Sequence, residues 1–151
     1  ISKIAMEALP NIHLLSMLTI VYTVVYRKKG VIPVLIGMLL IGAVNGFALW
    51  WVPYLYIWPL LSVVTMLLPK NMPTKIAVPV YSVVCTLHGL FFGSLYAPFQ
   101  AIMYKLSFKS MIAWIIAGLP FDITMAVGNL CASVLIVPLV TVMRKVEKGH
   151  L

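Results

Sequence analysis

The sequence predicts an all-α integral membrane protein, a bundle of six transmembrane helices with the first only partly present in this chain, forming one domain over residues 1–151. Three observations predict it. Apolar residues make up 63% of the chain, charged residues only 9%, and the mean hydropathy is +1.09; soluble domains are about 45–50% apolar and about 25% charged. The apolar residues form long uninterrupted runs, and a membrane span needs about 17–25 of them. The 11 Lys+Arg, against 3 Asp+Glu, lie between those runs and not in a patch. A net charge of +8 therefore reads as basic membrane loops, and no nucleic-acid partner is expected, since that needs a basic soluble surface.

The elements follow in order. Ile1–Leu9 is a helical fragment ending at Pro10, and residues preceding Ile1 are expected to complete this first span. Ile12–Tyr26 is apolar and stops at Arg27, Lys28, Lys29 and Gly30. Val31–Trp51 is a run of 21 residues without a charge. Tyr54–Leu68 is shorter and holds Pro59. Ile76–Tyr96 is again 21 residues, with His88 inside. Leu119–Met143 ends at Arg144 and Lys145. Between Tyr96 and Leu119 the irregular pattern, with Pro98, Gln100, Lys105 and Lys109, leaves Met111–Ala117 as a short surface or re-entrant helix. Pro33 and Pro79 lie in first turns, where the missing N–H costs nothing. Pro59 and Pro138 are expected to kink helix interiors.

Arg27–Lys29, Lys70 with Lys75, and Arg144 with Lys145 and Lys148 fall on one side if successive segments cross the membrane. That side is expected to be cytoplasmic, which places the C-terminus there and the chain in the cell membrane. The opposite connections, "ALPNIHL", "WWVPYLYIW" and Tyr96–Leu119, are rich in aromatics, proline and amides. An aromatic belt should mark both faces. The lopsided clustering points instead to a binding site at the outer mouth, of a kind suited to a flat ring such as a small heteroaromatic, cationic or neutral.

Small residues recur at four-residue spacing in Gly42/Gly46, Gly89/Gly93 and Gly128/Ala132, which lets helix backbones approach; internal packing is the expected use, docking to another subunit the alternative. The ionisable and amide groups within apolar segments are Lys3, Glu7, Asn45, His88, Asp122 and Asn129. Lys3 and Glu7 can pair at i, i+4, or Glu7 can meet a ligand. Asp122 follows Pro120 and is expected in a first helical turn, either as a cap or against ligand. Asn129 shares its face and needs a partner. His88 reads as a core histidine. Cys85 and Cys131 read as small buried residues. With no triad order, metal signature or phosphate loop, neither an enzyme nor a cofactor is expected.

At "ALPNIHL", "WWVPYLYIW" and "AWIIAGLPFDITMAVGN", the chain resembles the substrate-binding S components of energy-coupling factor (ECF) vitamin transporters. Pro10–Asn11 resembles the turn that ends their first helix, and Gly118–Asp122 the "GLPFD" segment that opens the last, with Asn129 below. The resemblance implies a vitamin or related micronutrient bound near the outer face, with a transmembrane T component and two cytoplasmic ATPases as partners. Ala5 and Ala8 stand where the family's alanine motif docks to the T component, at spacing three instead of four. The implied binding residues are Asn11 and His13; Trp50, Trp51, Tyr54 and Trp58; and Tyr96, Gln100, Asp122 and Asn129. A proton-coupled secondary transporter using Glu7, His88 or Asp122, and a non-transport membrane scaffold, are the competing readings.

Overall fold

A computed structural model describes residues 14–149, so Ile1–Leu9, the Pro10–Asn11 turn, the Lys3/Glu7 pair, Asn11 and His13 lie outside the described residues. Among those described, every regular element is helical. They are α1 (Leu15–Tyr26), a 3₁₀ turn (Arg27–Gly30), α2 (Val31–Asn45), a second 3₁₀ turn (Leu49–Trp51), α3 (Tyr54–Leu67), α4 (Thr74–Leu90), α5 (Phe92–Met103), α6 (Phe108–Ser133) and α7 (Ile136–Gly149).

Among the described residues, three stretches are long and apolar enough to cross a membrane: Leu49–Leu67, Thr74–Met103 and Phe108–Ser133. Their surroundings identify the solvent. Only 17% of the most apolar window of α6 is buried inside the protein, while Ile116, Phe121, Ile123, Val127 and Leu130 are exposed along it. In water such a contiguous apolar surface would drive aggregation; in lipid it is the expected exterior.

The three basic stretches meet at one end. The Arg27 guanidinium donates to the Met66 and Leu68 carbonyls, at the C-terminus of α3. That of Arg144 donates to Lys70 O at 3.1 Å and Val24 O at 3.5 Å. Last-turn carbonyls have no helical partner and carry the negative end of the helix dipole, so arginine suits them. Above this end lies a core of Met17, Ile20, Val21, Val24, Leu61, Ala77, Tyr81, Cys85, Ala132, Ile136 and Val140, drawn from α1, α3, α4, α6 and α7. A smaller cluster, Val34, Met38 and Trp58, joins α2 to α3.

The most extensive helix pairing among the described residues is α4 with α6, and Gly89 permits a close approach. A Cβ there would stand 2.9 Å from Ala126 N and 2.7 Å from Asn129 Nδ2. Gly42 likewise makes room for the rings of Phe47 and Trp51. Both are internal packing, as expected. Gly46 ends α2 at φ 84°, a left-handed conformation that glycine adopts without strain.

Several boundaries differ from expectation. Met111–Ala117 is not a separate surface helix: it is the N-terminal part of α6, which continues through Pro120 to Ser133. Proline forfeits one backbone bond, and in lipid that is a smaller cost than unwinding a turn. The real break comes at Val134–Leu135, before α7. Pro138 stands in the first turn of α7 and its ring would clash with a helical carbonyl at 134, so Pro138 follows a break and does not kink an interior. Val31–Trp51 ends as a helix at Asn45, and Ile76–Tyr96 is divided at Phe91 into α4 and α5.

Candidate functional site

Three helical faces build a seam at the end opposite the arginines. The first is a ladder at four-residue spacing, Trp50, Tyr54 and Trp58, on the second 3₁₀ turn and α3; this spacing puts side chains on one face. Ring centroids are 5.6 Å apart for Trp50–Tyr54 and 6.2 Å for Tyr54–Trp58, both edge to face. The second ladder has the same spacing across the α4–α5 junction: His88, Phe92 and Tyr96, at 6.0 and 6.4 Å. The ladders interlock. Trp58 lies 5.0 Å from His88 and 5.9 Å from Phe92, and Tyr54 is 5.9 Å from Phe92.

At the mouth the Tyr96 hydroxyl donates to Trp50 O at 2.9 Å, and the Tyr56 hydroxyl donates to Leu95 O at 2.8 Å. These bonds tie α5 to the α3 side. The third face belongs to α6. Its Trp114 stacks on Tyr96 at 6.0 Å with planes 18° apart. Two and four turns below stand Asp122 and Asn129.

The foot of the seam is a buried polar knot joining α1, α4 and α6. Asn129 Nδ2 donates to Cys85 O at 2.9 Å and to Ser16 Oγ at 3.1 Å. Because a carbonyl only accepts, the Cys85 contact fixes which way the amide faces. Ser16 Oγ is in turn 3.1 Å from His88 Nδ1. Ser16, His88 and Asn129 are all buried, so the fused bonds satisfy groups whose isolation in lipid would be costly.

Asp122 is not in the first turn of its helix but in the middle of α6, and it caps a different helix. Both carboxyl oxygens accept from Gly93 N–H, at 3.0 and 3.2 Å. Gly93 is in the first turn of α5, where the break at Phe91 leaves backbone donors without helical partners. The cap expected for α6 is supplied instead by Ser107, whose Oγ accepts from Ser110 N at 3.2 Å.

Of the candidates read from sequence, Trp50, Tyr54, Trp58 and Tyr96 come together in the seam, with Asp122 beside it and Asn129 at its foot. Trp51 does not join them. One residue out of the ladder, it turns to α2, donating to Met38 O at 2.8 Å and packing edge-on against Phe47 at 5.0 Å. Gln100 lies on α5 one turn beyond Tyr96, partly buried. Sequence reasoning missed Ser16, Phe92 and Trp114, and read His88 as a core histidine or, in the permease reading, as part of a proton relay. The spacing 88, 92, 96, matching 50, 54, 58, is the signal that finds the second ladder. Among the described residues no cluster of His, Cys, Asp and Glu could hold a metal.

No protein-family model matches the chain, and neither does any curated protein or solved structure.

Proposed function

We propose that this chain is the substrate-binding S component of an ECF-type importer, capturing a vitamin or related micronutrient at the aromatic end of a six-helix bundle. The observation that carries the reading is the interlocked seam, which runs from Trp50, Tyr96 and Trp114 at the mouth to the His88–Ser16–Asn129 knot. Aromatic faces bind planar rings, and a few convergent polar groups orient them, the usual composition of a small-molecule site. The basic end faces the cytoplasm by the positive-inside rule, so the seam opens outward and the C-terminus lies inside. Energy comes from partners, a transmembrane T component and two ATPases. The resemblance at "WWVPYLYIW" supports this assignment, whereas "GLPFD" lies within α6 and does not open the last helix.

The test is a pull-down of the full-length tagged protein from its host membranes in mild detergent, with partners identified by mass spectrometry. Recovery of a T component with paired ATPases is the expected result. Recovery of this protein alone, repeated after cross-linking, overturns it.

A second reading, a proton-coupled permease, is favoured by one observation: Asp122 and His88 are ionisable groups buried within stretches long and apolar enough to cross a membrane, a common mark of proton relays. Uptake by the purified protein alone in vesicles carrying a proton gradient would decide for it.

A further inference from the structure

The end of the bundle that carries the arginines holds a feature that substrate capture does not use. Arg27 and Arg144 are turned inward onto the Met66, Leu68, Val24 and Lys70 carbonyls, so they fasten three separate stretches of chain to one another. The lysines of those stretches are left on the outside: Lys28, Lys29, Lys70, Lys75, Lys145 and Lys148 are all exposed. Glu147 is the one acidic side chain in the three stretches, against six lysines. We propose that this fastened basic end is a binding site for the headgroups of anionic phospholipids.

Three observations favour lipid over an acidic protein. The lysines sit at the ends of helices whose flanks are apolar and exposed, with Val63, Val64, Leu67, Ile76, Val142 and Val146 just inward of them. Ammonium groups in that position lie at headgroup depth while their stems follow acyl chains. The lysines come from three separate stretches fastened together, so one headgroup can be met from several sides, as in basic pockets between membrane helices. The arginines, whose rigid forks would give a fixed bidentate fit to carboxylate or phosphate, are turned inward onto backbone carbonyls; the outward lysines are flexible point charges, which suit a mobile headgroup better than a fixed protein interface. The opposite end, with Lys105 in its α5–α6 connection and Lys109 in the first turn of α6, serves as the internal control.

The experiment uses the full-length protein in a neutral detergent, with short-chain phosphatidylglycerol and phosphatidylcholine as the two probes. Retained lipid is read by native mass spectrometry and the thermal midpoint by tryptophan fluorescence. Phosphatidylglycerol is expected to be retained and to raise the midpoint, phosphatidylcholine to do neither. Each lysine near a membrane surface contributes about fivefold in affinity for anionic lipid, so Lys70→Gln with Lys75→Gln should weaken retention at least about tenfold. Lys70→Arg with Lys75→Arg should restore most of it, which separates charge from folding. Lys105→Gln with Lys109→Gln should change nothing. Equal retention of the two lipids, or equal loss from the pairs at both ends, would overturn the proposal. Cross-linking of the lysines in native membranes to an acidic protein, with no lipid retained, would overturn it as well and assign the patch to that protein.

Discussion

Replacing Gly93 by alanine tests the link between the α4–α5 break and Asp122. An added Cβ would stand 2.5 Å from Asp122 Oδ2, 3.0 Å from Oδ1 and 3.1 Å from Cγ. The same two oxygens accept the Gly93 N–H at 3.0 and 3.2 Å. Ordinary contact needs about 3.5 Å, so the carboxyl group must retreat by about 1 Å, which stretches both bonds beyond useful length. Overpacking costs about 1–3 kcal/mol and loss of a satisfied buried partner about 1–3 kcal/mol. Since the two overlap, about 2–4 kcal/mol is expected for Gly93→Ala. Asp122→Ala removes the cap without the clash and should cost about 1–3 kcal/mol. In the double variant the clash has nothing to strike, so its cost should match that of Asp122→Ala alone. The assay is denaturant-driven unfolding in mixed micelles, read as a double-mutant cycle. Coupling equal to the cost of Gly93→Ala itself, about 2–4 kcal/mol, is expected; additivity within about 0.5 kcal/mol would refute the cap in trans.

Three further outcomes follow from the same geometry. Asn129→Leu leaves Ser16 Oγ and Cys85 O without their donor and should cost about 1–2 kcal/mol in the same assay; Asn129→Asp, which sets an acceptor against the Cys85 carbonyl, should cost more. Trp58 is wholly buried, so Trp58→Ala should lower stability by about 3–5 kcal/mol and appear first as a lost thermal transition. Given a bound ring compound, tryptophan quenching should persist in Trp51→Phe and fall in Trp50→Phe and Trp114→Phe; unchanged quenching in both of the latter would remove the seam from the binding reaction.

Much of this arrangement was legible in the sequence where the signal is chemical. The three basic stretches do meet at one end, because alternation of apolar runs with Arg27–Lys29, Lys70/Lys75 and Arg144–Lys148 leaves few other ways to thread the chain. The aromatic clustering of Trp50–Trp58 does gather with Tyr96. What misled was proline taken as punctuation. Pro120 is absorbed within α6, whereas Ser107, an ordinary N-cap residue three before Ser110, went unread in the same stretch. The role of Asp122 was half legible. A carboxyl group near a helix start was the right idea, but which start depends on the break at Phe91, and "HGLFFG" carries no breaker other than glycine. His88 was undervalued because a lone histidine in an apolar run says nothing until Ser16 and Asn129, distant in sequence, arrive beside it.

The distribution of buried groups divides the molecule into a stiff half and an adaptable one. Near the arginines, eleven buried apolar residues from five helices share one core, and Thr23 donates to Ser62 while Ser133 donates to Ser82, pinning α1 to α3 and α6 to α4. Toward the mouth, the core shrinks to Val34, Met38 and Trp58, and cohesion passes to ring edges and to the two tyrosine hydroxyls that reach Trp50 O and Leu95 O. Edge-to-face pairs contribute about 0.5–1.5 kcal/mol each, little enough for an incoming ring to replace one without unfolding its neighbours. The polar knot of Ser16, His88 and Asn129 lies where these halves meet, below the break at Phe91. A ring compound entering from the mouth would therefore displace soft contacts first and meet fixed hydrogen-bonding groups last, the order that lets a site adapt in shape while still selecting by polarity.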